Sequence, residues 1–411
     1  NTYLIGQTER GIHTRLFSRA FIMDDGSKRV VFITADTGMV SQRLRLEVIL
    51  QELKAKYRDL YRQVNVVMSG THKHSCMGDY FHYTLFMITS KGRLYKPLSH
   101  VINNIFHPLY EFNTDKQIVI MKFTDLDRDG MGLLSWFGIH PVSMKNTNRM
   151  VSSDNLGYAS YAFEQEKNFG FLPGEGPFVA SFSSSNLEDS SPNILEYVQK
   201  SKGLSHLSYC LILICISDCG VSALLYLVNL YSSAKQELHG PVYGAHQWVN
   251  MTDETVPLNS THTGRTCKPA LGHSFAAAIV DVQIITIGSV AIVAVPGEFT
   301  TMSGRRIREA VKKELEVKEC LANAEVVISG LCNIYTHYIT TYEEYQIQRY
   351  EGTSTIFDPH TLSALYPALQ SHLCPEPPFF DEDKLFNQVK DPVADVAPPD
   401  TIAEFHDENH C

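Results

Sequence analysis

The chain has 411 residues, with 35 Lys and Arg against 45 Asp and Glu, a formal charge of −10 at neutral pH. No basic stripe or cluster interrupts that balance, which excludes the electrostatic footprint of a nucleic-acid binder. At 44% hydrophobic over this length, the chain can bury a large core in about one to three domains.

The predicted elements alternate between strands and helices. "RVVFITAD" (29–36) reads as a buried strand, and "SQRLRLEVILQELKAKY" (41–57) has helical spacing with Ser41 at the N-cap position. "VNVVMSG" (64–70) is the next strand. Directly after it, in "SGTHKHS", stand His72 and His74. Positions i and i+2 of an extended strand share a face, so both imidazoles would look into one space. The pair fits half of a zinc site, and it also fits two polar residues of a loop; the spacing alone does not separate these readings.

"QIVIMKFTDLDRDGMGLLSWFGIHP" (117–141) reads as a hairpin turning at "DRDG". "DLDRDG" also matches the first half of a calcium-binding EF-hand loop, but that loop needs a bidentate carboxylate at its twelfth position, where this chain has Trp136. An acidic hairpin turn is the reading that survives. "GPFVASFSS" (176–184) is a strand. "LSYCLILICISDCGVSALLYLVNLY" (207–231) is long enough to span a bilayer, yet it contains Asp218, Gly220 and Asn229; it reads as a core segment or an apolar insertion. "IVDVQIITIGSVAIVAVPGEF" (279–299) is a hairpin turning at Gly288-Ser289, "SGRRIREAVKKELE" (303–316) an amphipathic helix, and "AEVVISG" (324–330) a strand. The pattern implies an α/β or α+β fold with a mixed sheet. The Pro-rich, acidic stretch 373–411 reads as a linker or tail.

Ligands in open α/β sheets gather at the carboxyl ends of strands. Here those ends carry His72 and His74, then His140, then Glu298 in "PGEF", then Tyr335, His337 and Tyr338 in "LCNIYTHY". This convergence points to a metal site more strongly than any one motif does. The nine cysteines form no CxxC pair, which argues against a structural zinc knuckle, and their odd number leaves at least one thiol unpaired within the chain. Two acceptor sequons, at Asn250 and Asn259, modestly favour a secretory route; the stretch that starts at Asn1 shows no leader features, so any targeting segment is expected to lie outside this sequence.

The blocks "GIHTRLFSRAF", "SGTHKHS", "SWFGIHPVSM", "SDNLGYASY", "GPFVASFSSSNLEDSSPN", "AHQWVNMTDETV", "VPGEFTTMSGRR" and "GLCNIYTHYITTYEEYQIQRYE" resemble the neutral ceramidases, in the family's own order and over more than half of the chain. The resemblance implies a mixed-sheet catalytic unit over 1–372, with a divergent apolar insertion at 200–235. It implies zinc-dependent hydrolysis of the amide bond of ceramide to sphingosine and a fatty acid, at a membrane surface of the secretory pathway or cell exterior. His72, His140, Glu298 and Tyr338 match the family's zinc ligands. His74 matches a residue facing the substrate, Ser191 the nucleophile, and Tyr350 a tyrosine on the reacting carbonyl.

The chain also departs from the pattern. No residue matches the family's substrate-contacting arginine, several internal segments are shorter, and nothing after "PEPPFF" matches its C-terminal immunoglobulin-like sandwich. Cys76-Met77 replaces a Gly-Pro pair, and Glu188 stands where the family has glycine. The departures motivate an alternative expectation: an inactive ceramidase-like protein that at most binds lipid.

Overall fold

A computed structural model of the chain describes residues 9–76, 78, 80, 83, 85–86, 114–144, 148–192, 228–252, 254–257, 263–265, 277–318, 321 and 323–371. In chain order the strands are β1 (Gly11–Ile12), β2 (Ser18–Asp24), β3 (Arg29–Ala35), β4 (Val66–Gly70), β5 (Ile118–Thr124), β6 (Gly130–Phe137), β7 (Met150–Val151), β8 (Val179–Ser184), β9 (Val242–Asn250), β10 (Thr255–Pro257), β11 (Thr263–Arg265), β12 (Ile279–Ile287), β13 (Val290–Ala294), β14 (Glu298–Phe299), β15 (Glu325–Ser329) and β16 (Tyr338–Ile339). The helices are α1 (Gln42–Glu47), α2 (Lys54–Tyr57), α3 (Asp154–Lys167), α4 (Thr301–Val317), α5 (Tyr342–Gln346), α6 (Tyr350–Thr353) and α7 (Thr361–Ser371).

The larger sheets run β15-β13-β12-β9, β2-β3-β4 and β5-β6-β8, and each mixes parallel with antiparallel pairs. Side-chain alternation sorts them into layers. On β13, Ala291 and Val293 face one core while Ile292 and Ala294 face another. The first core packs under Ile307, Val311 and Leu315 of α4 and Leu362, Leu365 and Leu369 of α7. The second lies between sheets, where Phe32, Val67, Leu134 and Trp136 meet Ile285, Ile292 and Val327. Helix α3 covers the outer face of β6 and β8 through Leu156 and Phe163. Ile49 covers β3 and β4. The result is sheet against sheet with helices outside. Each fully buried Leu, Ile or Phe contributes about 1.5–3 kcal/mol.

The expected hairpins and strands are present. Gly288 takes φ +54° at the β12–β13 turn, a region open to glycine. Helix α4 starts at Thr301, capped by Thr300, whose hydroxyl accepts the Ser303 N–H at 3.1 Å. Ser41 takes the N-cap position of α1 as expected, but its side chain makes no cap hydrogen bond and its buried hydroxyl has no hydrogen-bond partner. The helix it opens also passes through a π-helical turn, Val48–Leu53, before α2. Of the apolar stretch 207–231, only its end is described. Residues 228–233 are helical, and Tyr231 packs on Phe163 and Phe178. No helix among the described residues is long and apolar enough to cross a membrane. The 373–411 tail lies outside the described residues.

Candidate metal centre

Three strands from three sheets meet at their carboxyl ends. The Gly70 N–H donates to the Leu331 carbonyl, the Gly330 N–H donates to Ser184 O, and the Ser184 hydroxyl donates to Gly70 O. The expected site residues lie in the segments that follow β4, β6, β8, β13 and β15, some in loops and some in the short β14, β16 and α6.

His72 follows β4 in a left-handed conformation, φ +61°. The His72–His74 pair therefore shares one space through a loop turn rather than through strand pleating; the rings are edge-on at 4.8 Å. His140 follows β6. Its carbonyl is held by Asn155 Nδ2 at 3.2 Å, and the loop after it by the Asp154 carboxylate, which accepts the Ser143 and Met144 N–H groups. The "SDNLG" block thus anchors the loop of a histidine that stands 15 residues before Asn155.

Two carbonyls decide the tautomers. Gly38 O lies 2.7 Å from His72 Nδ1, and Glu188 O lies 3.1 Å from His140 Nδ1. A carbonyl only accepts, so both Nδ1 atoms carry a proton, and in the neutral rings both Nε2 atoms present lone pairs. His74 Nε2 stands 3.2 Å from His72 Nε2 and 3.1 Å from His140 Nε2. Glu298 Oε2 stands 3.0 Å from His72 Nε2 and 3.9 Å from His140 Nε2. That oxygen is buried and accepts no hydrogen bond. The Glu298 carboxylate facing the Nε2 atoms of His72 and His140 at such distances calls for a proton or a metal cation among them. Ligands around a tetrahedral zinc, each at about 2.0–2.1 Å, sit about 3.3–3.4 Å apart. The residues present therefore fit a cation, and His72, His74 and His140 form a group able to hold a metal ion.

Burial alone would raise the Glu298 carboxyl, but positive charge on His72 and His140, together with the Tyr335 hydroxyl, holds it down to about 2. It is anionic at neutral pH. Tyr338 is the register partner of Glu298 in the parallel β14–β16 pair, which sets the two side by side. Burial, then the charge of Glu298, pushes the Tyr338 phenol well above its ordinary value. Its ring stacks on His337 and stands edge-on to Tyr350 at 5.4 Å. Ser191 follows Ser190, whose carbonyl accepts the His140 N–H at 2.9 Å. The structure thus brings His72, His74, His140 and Glu298 together, with Tyr338 beside them, Tyr350 behind Tyr338, and Ser191 one residue from a His140 contact.

Sequence reasoning left several supporting groups without roles. Tyr335 was marked only by its place after β15, yet its hydroxyl donates to Glu298 Oε1. Lys73, between the two histidines, is fully buried with Asp36 Oδ1 4.0 Å from its Nζ. Burial lowers its ammonium to about 8, against the pull of Asp36. Its buried signal was the single long cation between two ring residues, but nothing local named its partner.

The family described as neutral/alkaline non-lysosomal ceramidase, N-terminal, matches residues 4–109, 105–211, 220–281 and 277–367. A neutral ceramidase of Drosophila pseudoobscura pseudoobscura is 33% identical, covering 87% of this chain and 69% of the relative. Neutral ceramidase B of Dictyostelium discoideum is 30% identical over 87% of this chain and 67% of its own length. Among solved structures, the neutral ceramidase from Pseudomonas aeruginosa superposes with a TM-score of 0.76 at 24% identity, covering 92% of this chain and 73% of that one.

Proposed function

Because the chain belongs to the neutral/alkaline non-lysosomal ceramidase family, we propose that it hydrolyses the amide bond of ceramide, releasing sphingosine and a fatty acid, with a zinc ion at the histidine–carboxylate cluster. The observation that carries this reading is the approach of Glu298 Oε2, without a hydrogen-bond donor, to the lone-pair nitrogens of His72 and His140. Zinc there supplies a Lewis acid for the amide carbonyl and acidifies water.

The residues of the chain do the remaining work. His72, His140 and Glu298, with Tyr338 beside them, are assigned to the metal. Gly38 O and Glu188 O keep the two imidazoles in the ligating tautomer, and Tyr335 fixes the rotation of Glu298. His74 and Tyr350 are assigned to the developing oxyanion, where fixed donors in a buried site act most strongly. Ser191 is assigned as the nucleophile. The sequons at Asn250 and Asn259 support a secretory or cell-surface location, where ceramide is presented by membranes.

A second reading, a lipid-binding protein without turnover, is favoured by one observation: no residue of this chain matches the family's substrate-contacting arginine. Release of fatty acid from a short-chain fluorescent ceramide by purified protein, with and without a zinc chelator, separates the two. Chelator-sensitive release is expected. Folded protein that binds the lipid and releases nothing establishes the second reading.

A further inference from the structure

The segment after β15 runs along β4, the last strand of its sheet. Ser69 bridges Cys332 in antiparallel fashion, the Ser69 hydroxyl donates to Gly330 O at 2.9 Å, and the Gly70 N–H donates to Leu331 O at 3.2 Å. The same segment is tied to the turn that leads into Glu298. The Leu331 N–H donates to Gly297 O at 3.2 Å, the Cys332 N–H to Val295 O at 2.8 Å and the Thr336 N–H to Pro296 O at 2.9 Å. It therefore joins the strand that delivers His72 to the turn that delivers Glu298. Across that join, His72 Nε2 and Glu298 Oε2 are 3.0 Å apart.

Asn333 adds a side chain to this edge. It is fully buried, at φ +66°, a left-handed conformation that asparagine tolerates. Its N–H donates to Met68 O at 2.7 Å, and its Oδ1 accepts the Met68 N–H at 3.0 Å. The side-chain carbonyl thus does what the peptide of a neighbouring strand would do. Its Nδ2 donates to Gln283 Oε1 at 2.9 Å, which fixes the rotation of the amide. Gln283 Nε2 donates in turn to Gln63 O and Val64 O, just before β4. Two residues beyond Asn333, the Tyr335 hydroxyl donates to Glu298 Oε1.

We propose that Asn333 is a positioning residue of this centre: its amide sets the separation between the β4 end that carries His72 and the segment that holds Glu298. The inference rests on the zinc reading above. Asn333 touches neither metal nor substrate and acts through Met68 on one side and Tyr335 on the other.

The test compares wild type, Asn333→Gly and Gln283→Met as full chains. Zinc affinity is measured by chelator competition, coordination geometry by the visible absorption of the cobalt(II)-loaded protein, and stability by the urea midpoint. Glycine keeps the left-handed backbone and its N–H while removing the amide. Zinc affinity about 10-fold weaker in Asn333→Gly is expected, the low end of what loss of a supporting partner costs. The cobalt band should shift with it. A merely structural Asn333 would lower the urea midpoint and leave the affinity and the band of the folded protein unchanged; either readout unchanged overturns the proposal. If Asn333→Gly does not fold, Gln283→Met decides. It removes the acceptor that fixes the amide, and it should weaken zinc and shift the band in the same direction; an unchanged band there also overturns the proposal. These failures, in a wild type that binds zinc, refute only this inference. Wild type that binds neither zinc nor cobalt refutes the zinc reading as well.

Discussion

Glu298 and Tyr338 face each other as register partners in a parallel pair only two residues long. So short a pair has little stability of its own; it is held by the Glu298 N–H donating to His337 O at 2.9 Å and by Gly297, where an added Cβ would meet that same carbonyl at 2.5 Å. The backbone therefore sets these two residues side by side. His140→Ala is expected to abolish zinc binding with little change in far-ultraviolet circular dichroism. Glu298→Gln should weaken zinc by at least the 10- to 100-fold that a lost supporting partner costs, and Tyr338→Phe by less. Metal analysis of purified variants checks this order; unchanged zinc content in His140→Ala would show the ligand assignment to be wrong.

Gly297→Ala should act on the same geometry without touching a ligand. A methyl group at 2.5 Å from His337 O must push β14 from β16. Lower zinc affinity with Glu298 and Tyr338 both intact is the expected result, measured by the same competition. An alanine variant that binds zinc as the wild type does would mean that the pair spacing does not set the site.

Beneath the centre, Arg45 of α1 meets Asp281 of β12 at 2.7 Å, with neither side chain exposed. The guanidinium also donates to Gln63 O and Val66 O. From Asp281 the polar network continues along β12 through Gln283 to Asn333, which accepts the Met68 N–H of β4 at 3.0 Å. The strand that delivers His72 is thereby bolted to the second sheet. Removing Arg45 takes the guanidinium from the buried Asp281 carboxylate, which keeps His246 Nε2 at 3.7 Å, so Arg45→Met should cost about 3–5 kcal/mol, whereas Arg45→Met with Asp281→Leu should cost much less. Urea unfolding of the single and double variants tests this. Additive losses would show that the pair is not coupled.

These relationships also show which features were legible in the sequence. The β12–β13 hairpin could be read because Gly288 marks its turn and apolar residues crowd both strands. The ends of β4, β6, β13 and β15 could be read because polar residues follow apolar runs abruptly. Helix α3 carried no such signal. Its inward face buries Asp154, Asn155, Ser160 and Glu164 along with its apolar residues, so no clean apolar stripe appears. Arg19 meets Glu164 at 2.7 Å from 145 residues away, a partner that no local pattern can name. The same limit hid Tyr335 and Lys73. Their roles depend on Glu298 and Asp36, which reach them only through the fold.

Asp189 gives the stability of the protein a pH dependence. Its Oδ1 accepts from the Thr301 N–H at 2.8 Å and the Thr301 hydroxyl at 2.7 Å. Desolvation nevertheless pushes the carboxyl up to about 7 from an ordinary value of 3.8. Between those values the unfolded chain has released a proton that the folded chain keeps, so rising pH favours unfolding. The destabilisation is absent below about pH 4 and complete above about pH 7. Asp189→Asn retains an acceptor for Thr301 and removes the titration. The wild-type melting midpoint minus that of Asp189→Asn should fall as pH rises through this window. A difference that stays flat would mean that Asp189 titrates normally in the folded protein.

Asn250 ends β9, the edge strand of its sheet, and is exposed. Its Oδ1 accepts from the Thr252 hydroxyl at 2.7 Å and the Thr252 N–H at 3.2 Å, a local turn that leaves the amide nitrogen outward. Met251, between them, is buried and donates its N–H to Ala278 O at 2.8 Å, so the turn is anchored while the acceptor stays accessible. Protein recovered from a secretory host should carry a glycan here. Glycosidase treatment should lower its mass, and Asn250→Gln should remove one glycan while leaving any at Asn259. Zinc content and activity should not change, because β9 lies across β12 and β13 from the strand ends that build the centre. Peptide mapping that finds Asn250 unmodified in secreted protein would remove this support for a secretory route.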